Sequence, residues 1–324
     1  MQRVKGQFIV RRLLQVVPTV FGIVVIGFLL IRFAPGDPIL ALAGDHGDAA
    51  YYAFMRERFG LDQSLPRQLI TYFVRVVSGD FGHSYVYGRS TLSVIAERVP
   101  ATLLLTGTAL LIAVAAAIPL GALAARRPNG ARDIGITGIA LGLYSTPVFW
   151  LGQLAILLFA LALGVVPIQG MTAAGSDAVG IARAMDVLRH LALPALVLAS
   201  QELAVLVRLT RSGLLDELGR DHIRTARAKG VREPVVLVRH AMPRALLASI
   251  TVIGARAGHL ISGAVIVEVV FGWPGIGRLL LAALQTRDTP VLLGLFLVVA
   301  FAVVVANLVT DLIYAAIDPR IRLR

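Results

Sequence analysis

Four charged side chains lie within long apolar stretches of this 324-residue chain, where a charge is costly unless it has a partner or lines a water-filled path. They are Arg32, Glu202, Arg256 and Asp311. Arg32 and Asp311 lie near the ends of their stretches, within reach of a water interface. Glu202 and Arg256 are deeper, so they indicate either a structural ion pair or a polar path for a solute.

Two polar neighbours extend this set. Gln201 precedes Glu202, and His259 follows Arg256 by three positions, which places Arg256 and His259 on one helix face. Such a face suits a solute carboxylate, which is present on peptide termini and on anionic metal chelates. We therefore take Gln201, Glu202, Arg256 and His259 as candidates for a translocation path.

The residue sets of common enzymes and metal sites are missing from the sequence. The chain contains no cysteine, and its histidines and carboxylates do not cluster at metal-ligand spacing, so we predict no metal site. The charged residues of the apolar stretches form no paired aspartates and no Ser–His set, so we predict no catalytic residues. A GxxxxGK[ST] phosphate-binding loop is also absent, which disfavours nucleotide hydrolysis by this chain.

The elements that must position these residues are membrane-spanning helices. Hydrophobic residues make up 57% of the chain and charged residues 15%, and the mean hydropathy is +0.80. A hydrocarbon layer of about 30 Å needs about 20 mainly apolar residues in a helix. Six stretches qualify, so we predict an all-α integral membrane protein. The predicted spans are 12–33, 101–125, 134–163, 190–210, 245–267 and 289–316.

The distribution of Lys and Arg predicts the orientation of the chain. The first apolar run is too long for a cleaved signal peptide and is expected to remain as span one. With the amino terminus inside, the inner segments hold 19 Lys/Arg and 6 Asp/Glu, against 10 and 11 in the outer segments. Both termini are therefore predicted to be cytoplasmic. Because the basic residues are spread over four segments, the net charge of +12 indicates membrane topology rather than nucleic-acid binding.

The segment 34–100 is predicted to fold as an extracytoplasmic cap between spans one and two. Helical spacing is present in 51–59 and 66–77, an irregular loop rich in Gly and aromatic residues follows, and a short helix begins near Thr91. Such a cap suits a docking surface, or a lid that only shields the helices. The apolar faces are predicted from Tyr52, Phe54 and Met55, and from Leu69, Ile70, Phe73 and Val74.

A basic loop, 208–244, separates spans four and five with nine Lys/Arg and four Asp/Glu. Gly219 is expected to close span four in the left-handed conformation, and Asp221 to cap a helix of two turns that ends at Gly230. An isolated helix of this length is marginal in water, so another surface must hold it.

Inside that short helix, Ile223, Ala226 and Gly230 share a small apolar face that could lie in a groove of another protein. The alternative is that this face packs against the chain's own membrane ends. A second short helix is expected from Pro234, and Pro243 is expected to interrupt the chain before span five. The basic residues Arg224, Arg227 and Lys229 surround the small face.

The same loop resembles the coupling motif of permease subunits in ATP-binding-cassette importers, which reads Glu-Ala-Ala, three residues, Gly, nine residues, Ile-x-Leu-Pro. Arg224, Thr225 and Ala226 stand at the Glu-Ala-Ala positions and Gly230 at the Gly. The remaining positions are held by His240, Met242 and Pro243. Arg for Glu and His for Ile depart from the general motif but match the peptide/nickel permease family. Segments such as APGDPI, GDFGHSY, TPVFWLG and VEVVFGWPGIGRLL resemble that family in the same order.

The resemblance implies a type I importer permease in a bacterial inner membrane that imports dipeptides or oligopeptides. The implied partners are a second homologous permease, two ATPases that bind ATP and Mg²⁺, and an extracytoplasmic solute-binding protein. Asp221, Ile223, Arg227 and Lys229 join the matched positions as ATPase-coupling residues of the 220–243 loop. The chain then divides into the start and first span (1–33), the cap (34–100), spans two to six (101–316) and a cytoplasmic tail (317–324).

Two alternatives stay open from the sequence. The same machine could import nickel, a metal chelate or glutathione, because members of the family differ in cargo. A stand-alone secondary transporter would be expected to show an internal repeat with broken helices, and six spans with one long loop do not show it.

Overall fold

The computed structural model describes residues 2–33, 50 and 62–317. Within them it describes the side chains except those of 2–11, 13, 31–33, 247–251, 253–259, 261–262 and 311–317. Regular structure in these ranges is helical, with one isolated antiparallel bridge between His83 and Ser90. The predicted all-helical class is confirmed.

Twelve α-helices follow one another in the described ranges. They are α1 (Gln2–Phe33), α2 (Leu65–Val77), α3 (Thr91–Ala96), α4 (Val99–Ala125), α5 (Ala131–Ser145), α6 (Val148–Ala155), α7 (Gly180–Leu218), α8 (Asp221–Ala228), α9 (Glu233–Val235), α10 (Met242–Val270), α11 (Ile276–Thr286) and α12 (Thr289–Ile317). Two π-helical segments, Ile156–Ala162 and Val236–Ala241, continue α6 and α9.

One compact unit comprises Met1–Arg98 and Leu279–Val304. Its helix α2 lies against α1 through two aromatic pairs, Phe21 with Phe73 and Phe28 with Tyr72, whose ring centroids are 5.9 and 6.0 Å apart. The predicted helices 66–77 and from Thr91 are confirmed as α2 and α3. The predicted apolar face of α2 is present, and within it Ile70 and Val74 are exposed. The predicted helix 51–59 lies outside the described residues.

The second unit comprises Val99–Arg278 and Val305–Arg324, and its centre is the packing of α4 on α7. Small residues make the close approach possible, as in many membrane helix pairs. A Cβ added to Gly121 would come within 2.7 Å of Thr210. Buried alanines on α4 provide the rest of this surface: Ala101, Ala109, Ala113, Ala117 and Ala122.

Three helical stretches among the described residues are long and apolar enough to cross a membrane: Thr91–Ala125, which comprises α3 and α4, Gly180–Leu218 and Thr289–Thr310. The prediction of 134–163 as one span is corrected, because Ala131–Ser145 and Val148–Ala162 are bent by 104°. Thr146 precedes Pro147 and has extended backbone angles (φ −82°, ψ 127°), as expected for a residue before proline. A broken helix is therefore present that the apolar composition concealed.

Candidate functional site

The short helix α8 forms the centre of the predicted coupling loop. It ends in a Schellman motif, in which Gly230 N donates to Arg227 O (2.9 Å) and Val231 N donates to Ala226 O (3.2 Å). This motif requires a left-handed residue, and Gly230 has φ +77°. The predicted end at Gly230 is therefore confirmed.

The start of α8 differs from the prediction in two details. Arg220 holds the N-cap position, and Asp221 is the first helical residue, where its charge still favours the positive end of the helix dipole. Helix α7 ends at Leu218 as expected, but Gly219 is right-handed, with φ −81°. The predicted left-handed Gly219 is wrong because the chain turns directly into α8 at this point.

Two residues of the predicted small face of α8, Ile223 and Ala226, are turned into the protein. Ile223 is fully buried and Ala226 is 8% exposed. Both pack in one apolar cluster with Leu214 of α7, Val236 and Ala245. The predicted docking of this face in another protein's groove is therefore wrong, and packing against the chain's own helices is correct. The third residue of the predicted small face, Gly230, is exposed instead. The other exposed residues of α8 and its end are Asp221, Arg224, Thr225, Arg227, Ala228 and Lys229.

A bidentate ion pair joins α8 to α9. Arg227 Nε and Nη2 donate to the Glu233 carboxylate over 3.1 and 2.5 Å. The hydrogen bonds from Arg227 lower the pKa of Glu233, so its carboxyl group is ionised at neutral pH. Arg227 thus holds the loop together on its exposed side, where sequence analysis placed it among the coupling residues.

Glu217, near the end of α7, makes a second set of ionic contacts within the loop, which the sequence did not reveal. Its carboxylate lies 3.1 Å from His222 Nε2 and 3.6 Å from Arg244 Nη1. His222 belongs to α8 and Arg244 to the first turn of α10. The ends of three helices therefore meet around one carboxylate. The only available signal was an acidic residue within a strongly basic segment.

The second half of the coupling motif is helical throughout. The π-helical segment Val236–Ala241 leads directly into α10, and Pro243 lies in the first turn of α10. The predicted interruption at Pro243 is wrong, because a proline is tolerated where its missing N–H is not needed. His240 and Met242 are half-buried, and Pro243 is exposed.

Among the translocation candidates, Gln201 lies at the helix break. Its Nε2 donates to the backbone oxygens of Leu143 and Thr146, both over 3.3 Å. The Leu143 carbonyl lies four positions before Pro147, which has no N–H to donate to it. Gln201 therefore stabilises the bend of α5 and α6. An apolar cavity of about 310 Å³ lies beside it, lined in part by Leu143, Phe159 and Leu203.

Glu202 is buried on α7, with 3% of its surface exposed. The side chains of Arg256 and His259 lie outside the described residues, as do those of Arg32 and Asp311. The proposed pair between Glu202 and Arg256 therefore stays a prediction. Among the described residues, no group of three His, Asp or Glu side chains could hold a metal ion.

Three further buried carboxylates were missed by the sequence analysis. Asp133 of α5 accepts two hydrogen bonds of 2.6 Å from Arg211 of α7. Glu268, at the end of α10, is fully buried. In the other unit, Asp288 accepts hydrogen bonds from Ser84 Oγ and from the Tyr85 amide. Burial, with the charge of Asp288, raises the pKa of Tyr85 to about 12.

The chain matches two family models. The model described as binding-protein-dependent transport system inner membrane component covers residues 117–323. Its amino-terminal companion covers residues 6–106. The chain belongs to this permease family. The family assignment predicted from the sequence is thereby confirmed, and the protein is a membrane component of a binding-protein-dependent transport system.

Curated relatives match this permease along nearly its whole length. The dipeptide transport system permease protein of Escherichia coli is 39% identical over 98% of both chains. The oligopeptide transport system permease protein of Bacillus subtilis is 38% identical over 97% of this chain and 98% of its own. The glutathione transport system permease protein of Escherichia coli O1:K1 is 38% identical with the same coverage.

A solved structure confirms the fold of the permease. The MetNI methionine ABC transporter in an inward-facing conformation matches with a TM-score of 0.57 and 17% identity. The match covers 69% of this chain and 96% of that chain. The fold is therefore that of a type I ABC importer permease.

Proposed function

We propose that this permease carries dipeptides or oligopeptides across the inner membrane. The observation that carries this proposal is the 39% identity, over 98% of both chains, to a dipeptide permease. A metal-only cargo is less well supported, since the described residues offer no cluster of metal ligands. A stand-alone secondary transporter is disfavoured by membership of a binding-protein-dependent family.

The proposed complex contains a second homologous permease, two ATPases that bind ATP and Mg²⁺, and an extracytoplasmic solute-binding protein. In this proposal the chain has six spans, of which the third is the bent pair Ala131–Ser145 and Val148–Ala162, together with a cap formed by 34–100 and two cytoplasmic termini. The exposed face of α8 meets an ATPase. The charge bias of 19 Lys/Arg in the inner segments against 10 in the outer ones supports this orientation.

Coupling follows from linkage between the two ends of the permease. ATP binding and the loaded binding protein must each favour one conformation, because a ligand with equal affinity for both shifts nothing. Movement of a docked α8 reaches the membrane through α7 and α10, since the ends of all three helices meet around Glu217. The path then opens to one side at a time.

Arg256 is our proposed contact for the peptide carboxylate, with Gln201, Glu202 and His259 along the same path. A guanidinium binds a carboxylate in bidentate fashion, which an ammonium group cannot reproduce. Arg256→Lys loses the bidentate geometry and keeps the charge, whereas Arg256→Gln loses both. Arg256→Gln should therefore reduce peptide uptake more than Arg256→Lys does.

The test is uptake into proteoliposomes that contain the whole complex and the loaded binding protein. A labelled dipeptide should accumulate only when ATP is supplied on the side of the membrane where the ATPases lie. Unlabelled oligopeptides should compete with the dipeptide. Glutathione and a nickel chelate serve as separate arms. Uptake of the chelate without uptake of any peptide would overturn the peptide proposal. Equal uptake by Arg256→Gln and wild type would remove Arg256 from the path.

A further inference from the structure

Glu268 is a buried carboxylate near the carboxyl-terminal end of α10. This is the end of α10 that lies farther from the predicted coupling loop. None of the surface of Glu268 is exposed. Its Oε1 accepts a hydrogen bond of 2.5 Å from Thr102 Oγ1, and its Oε2 accepts one of 2.6 Å from Gly277 N. A buried carboxyl group needs such hydrogen-bond partners to offset its loss of water. Glu268 thus joins the end of α10 to the start of both α4 and α11.

The turn after Glu268 leaves no space around this carboxylate. A Cβ added to Gly275 would overlap the Glu268 carboxylate, and one added to Gly277 would overlap Val265. Trp273 is fully buried, and its Nε1 donates to Ala101 O over 2.8 Å. The first turns of α4 and α11 are therefore held to α10 by close packing as well as by hydrogen bonds.

Thr102 also connects Glu268 to the first residue of α11. Its hydroxyl donates to Glu268 and accepts a hydrogen bond of 2.9 Å from the backbone N of Ile276, the first residue of α11. One hydroxyl and one carboxylate therefore bind three helix ends. A displacement of any one end must either carry the other two or break these bonds.

Helix α10 connects this junction to the coupling loop without a break. It runs for 29 residues from Met242 to Val270, or roughly 43 Å at 1.5 Å per residue. Its first turns are tied to α7, because Arg244 lies 3.6 Å from Glu217 and Gly213 allows close approach to Ala245. Movement of the coupling loop is therefore delivered to one end of α10, and Glu268 lies near the other.

We propose that Glu268 is a positioning residue that transmits the movement of α10 to α11 and to the start of α4. The proposal rests on the ATP-coupled function proposed above. Glu268 does not touch the transported solute in this proposal, since its carboxylate is enclosed. It acts by making the turn 271–275 and the first turn of α11 follow α10 during each transport cycle.

The carboxylate is needed because it accepts hydrogen bonds from opposite sides. In Glu268→Gln only one side-chain oxygen remains. That oxygen can accept from either Thr102 or the backbone N–H of Gly277, and the other donor then faces the amide NH₂. The substitution preserves shape and removes part of the clamp. Thr102→Val removes the hydroxyl and leaves the carboxylate, which makes it an independent test of the same junction.

The experiment uses the absence of native cysteine in this chain. A single cysteine replaces Leu284 of α11, which is 56% exposed, and its maleimide labelling is followed in the whole complex. In the wild-type background, trapping the ATPases with ATP and vanadate should change the labelling rate. In Glu268→Gln the nucleotide-induced change in labelling rate should fall about fivefold, which corresponds to the loss of one buried hydrogen bond. The composition of the complex and its ATP hydrolysis should persist.

The controls separate the two proposals. Ile266→Val alters an exposed side chain on the same helix and should keep the wild-type response. Thr102→Val should reduce the response even if Glu268→Gln fails to assemble. A wild-type response in either assembled junction variant would overturn the role of Glu268. If the wild-type background shows no response to nucleotide but takes up peptide with ATP, the Glu268 proposal fails and the ATP-coupled function stands. If ATP-dependent uptake is absent as well, the ATP-coupled function fails, and the Glu268 proposal falls with it.

Discussion

At the scale of single residues, Gly230 shows how one backbone angle shapes the coupling loop. Its φ of +77° lies in the left-handed region, and no atom lies within 4 Å of the position that a Cβ would take. The requirement for glycine is therefore a matter of backbone strain and not of space. An L-residue in this conformation costs about 1–2 kcal/mol, and asparagine tolerates it best.

We predict that Gly230→Val will uncouple ATP hydrolysis from uptake, whereas Gly230→Asn will stay close to wild type. The branched side chain should shift the end of α8 and hence the surface offered to an ATPase, without affecting membrane insertion. Transported peptide per ATP hydrolysed is the measurement. Equal coupling ratios in the valine variant and the wild type would rule out this role for Gly230.

Among the helices, the pair of Asp133 and Arg211 decides how α5 lies against α7. Asp133 has 4% of its side chain exposed and accepts a bond of 2.8 Å from Asn129 N in addition to the two from Arg211. The two partners are 78 positions apart in the chain. Removing Arg211 would leave the buried charge of Asp133 without its counter-ion, which is costly, and removing Asp133 would leave a partly buried guanidinium unpaired.

We predict that Asp133→Asn and Arg211→Met will each destabilise the protein by about 2 kcal/mol, the cost of leaving a buried polar partner unsatisfied. The double variant should lose less than the sum, because neither charge is then left alone. Thermal unfolding in detergent gives the measurement.

The exposed pair of Arg89 and Glu97 is the control, with side chains 44% and 53% exposed, and Arg89→Met should leave the melting temperature unchanged. Strictly additive losses in the Asp133 and Arg211 variants would contradict a direct coupling between them.

Across the whole molecule, the basic face of α8 is the surface through which the permease meets its motor in our proposal. Ile223 and Ala226 of the predicted small face are buried against α7 and the segment around Val236. Arg224 and Lys229 point outward instead. A partner with a complementary acidic rim would therefore recognise the charged face.

We predict that Arg224→Glu combined with Lys229→Glu will weaken ATPase binding roughly tenfold, or about 1.4 kcal/mol. Co-purification at moderate salt measures the effect. The control is Arg183→Glu combined with Arg189→Glu. This double variant changes the net charge by the same amount in a segment predicted to be outside, and it should retain the ATPases. Loss of ATPases in both double variants would indicate a general charge effect instead of a docking face.

Local patterns predicted much of the helical structure in the loop 208–244 and in the segment 62–100. The end of α8 at Gly230, the helix α2 and the short helix α3 each depend on neighbours within a few positions, and all are confirmed. The bend at Thr146 and Pro147 was missed, because a continuous apolar run hides a break that a single proline introduces.

The sequence by itself determined the helical class, the family and the place of the segment that resembles the coupling motif, because hydrophobic composition and motif spacing are properties of adjacent residues. Only the tertiary structure decided which face of α8 is buried, because periodicity defines a face but not what covers it. It alone joined Glu268 to Thr102 across 166 positions. Such pairs form only when helices pack, since each buried carboxylate must then find its donors wherever the fold brings them.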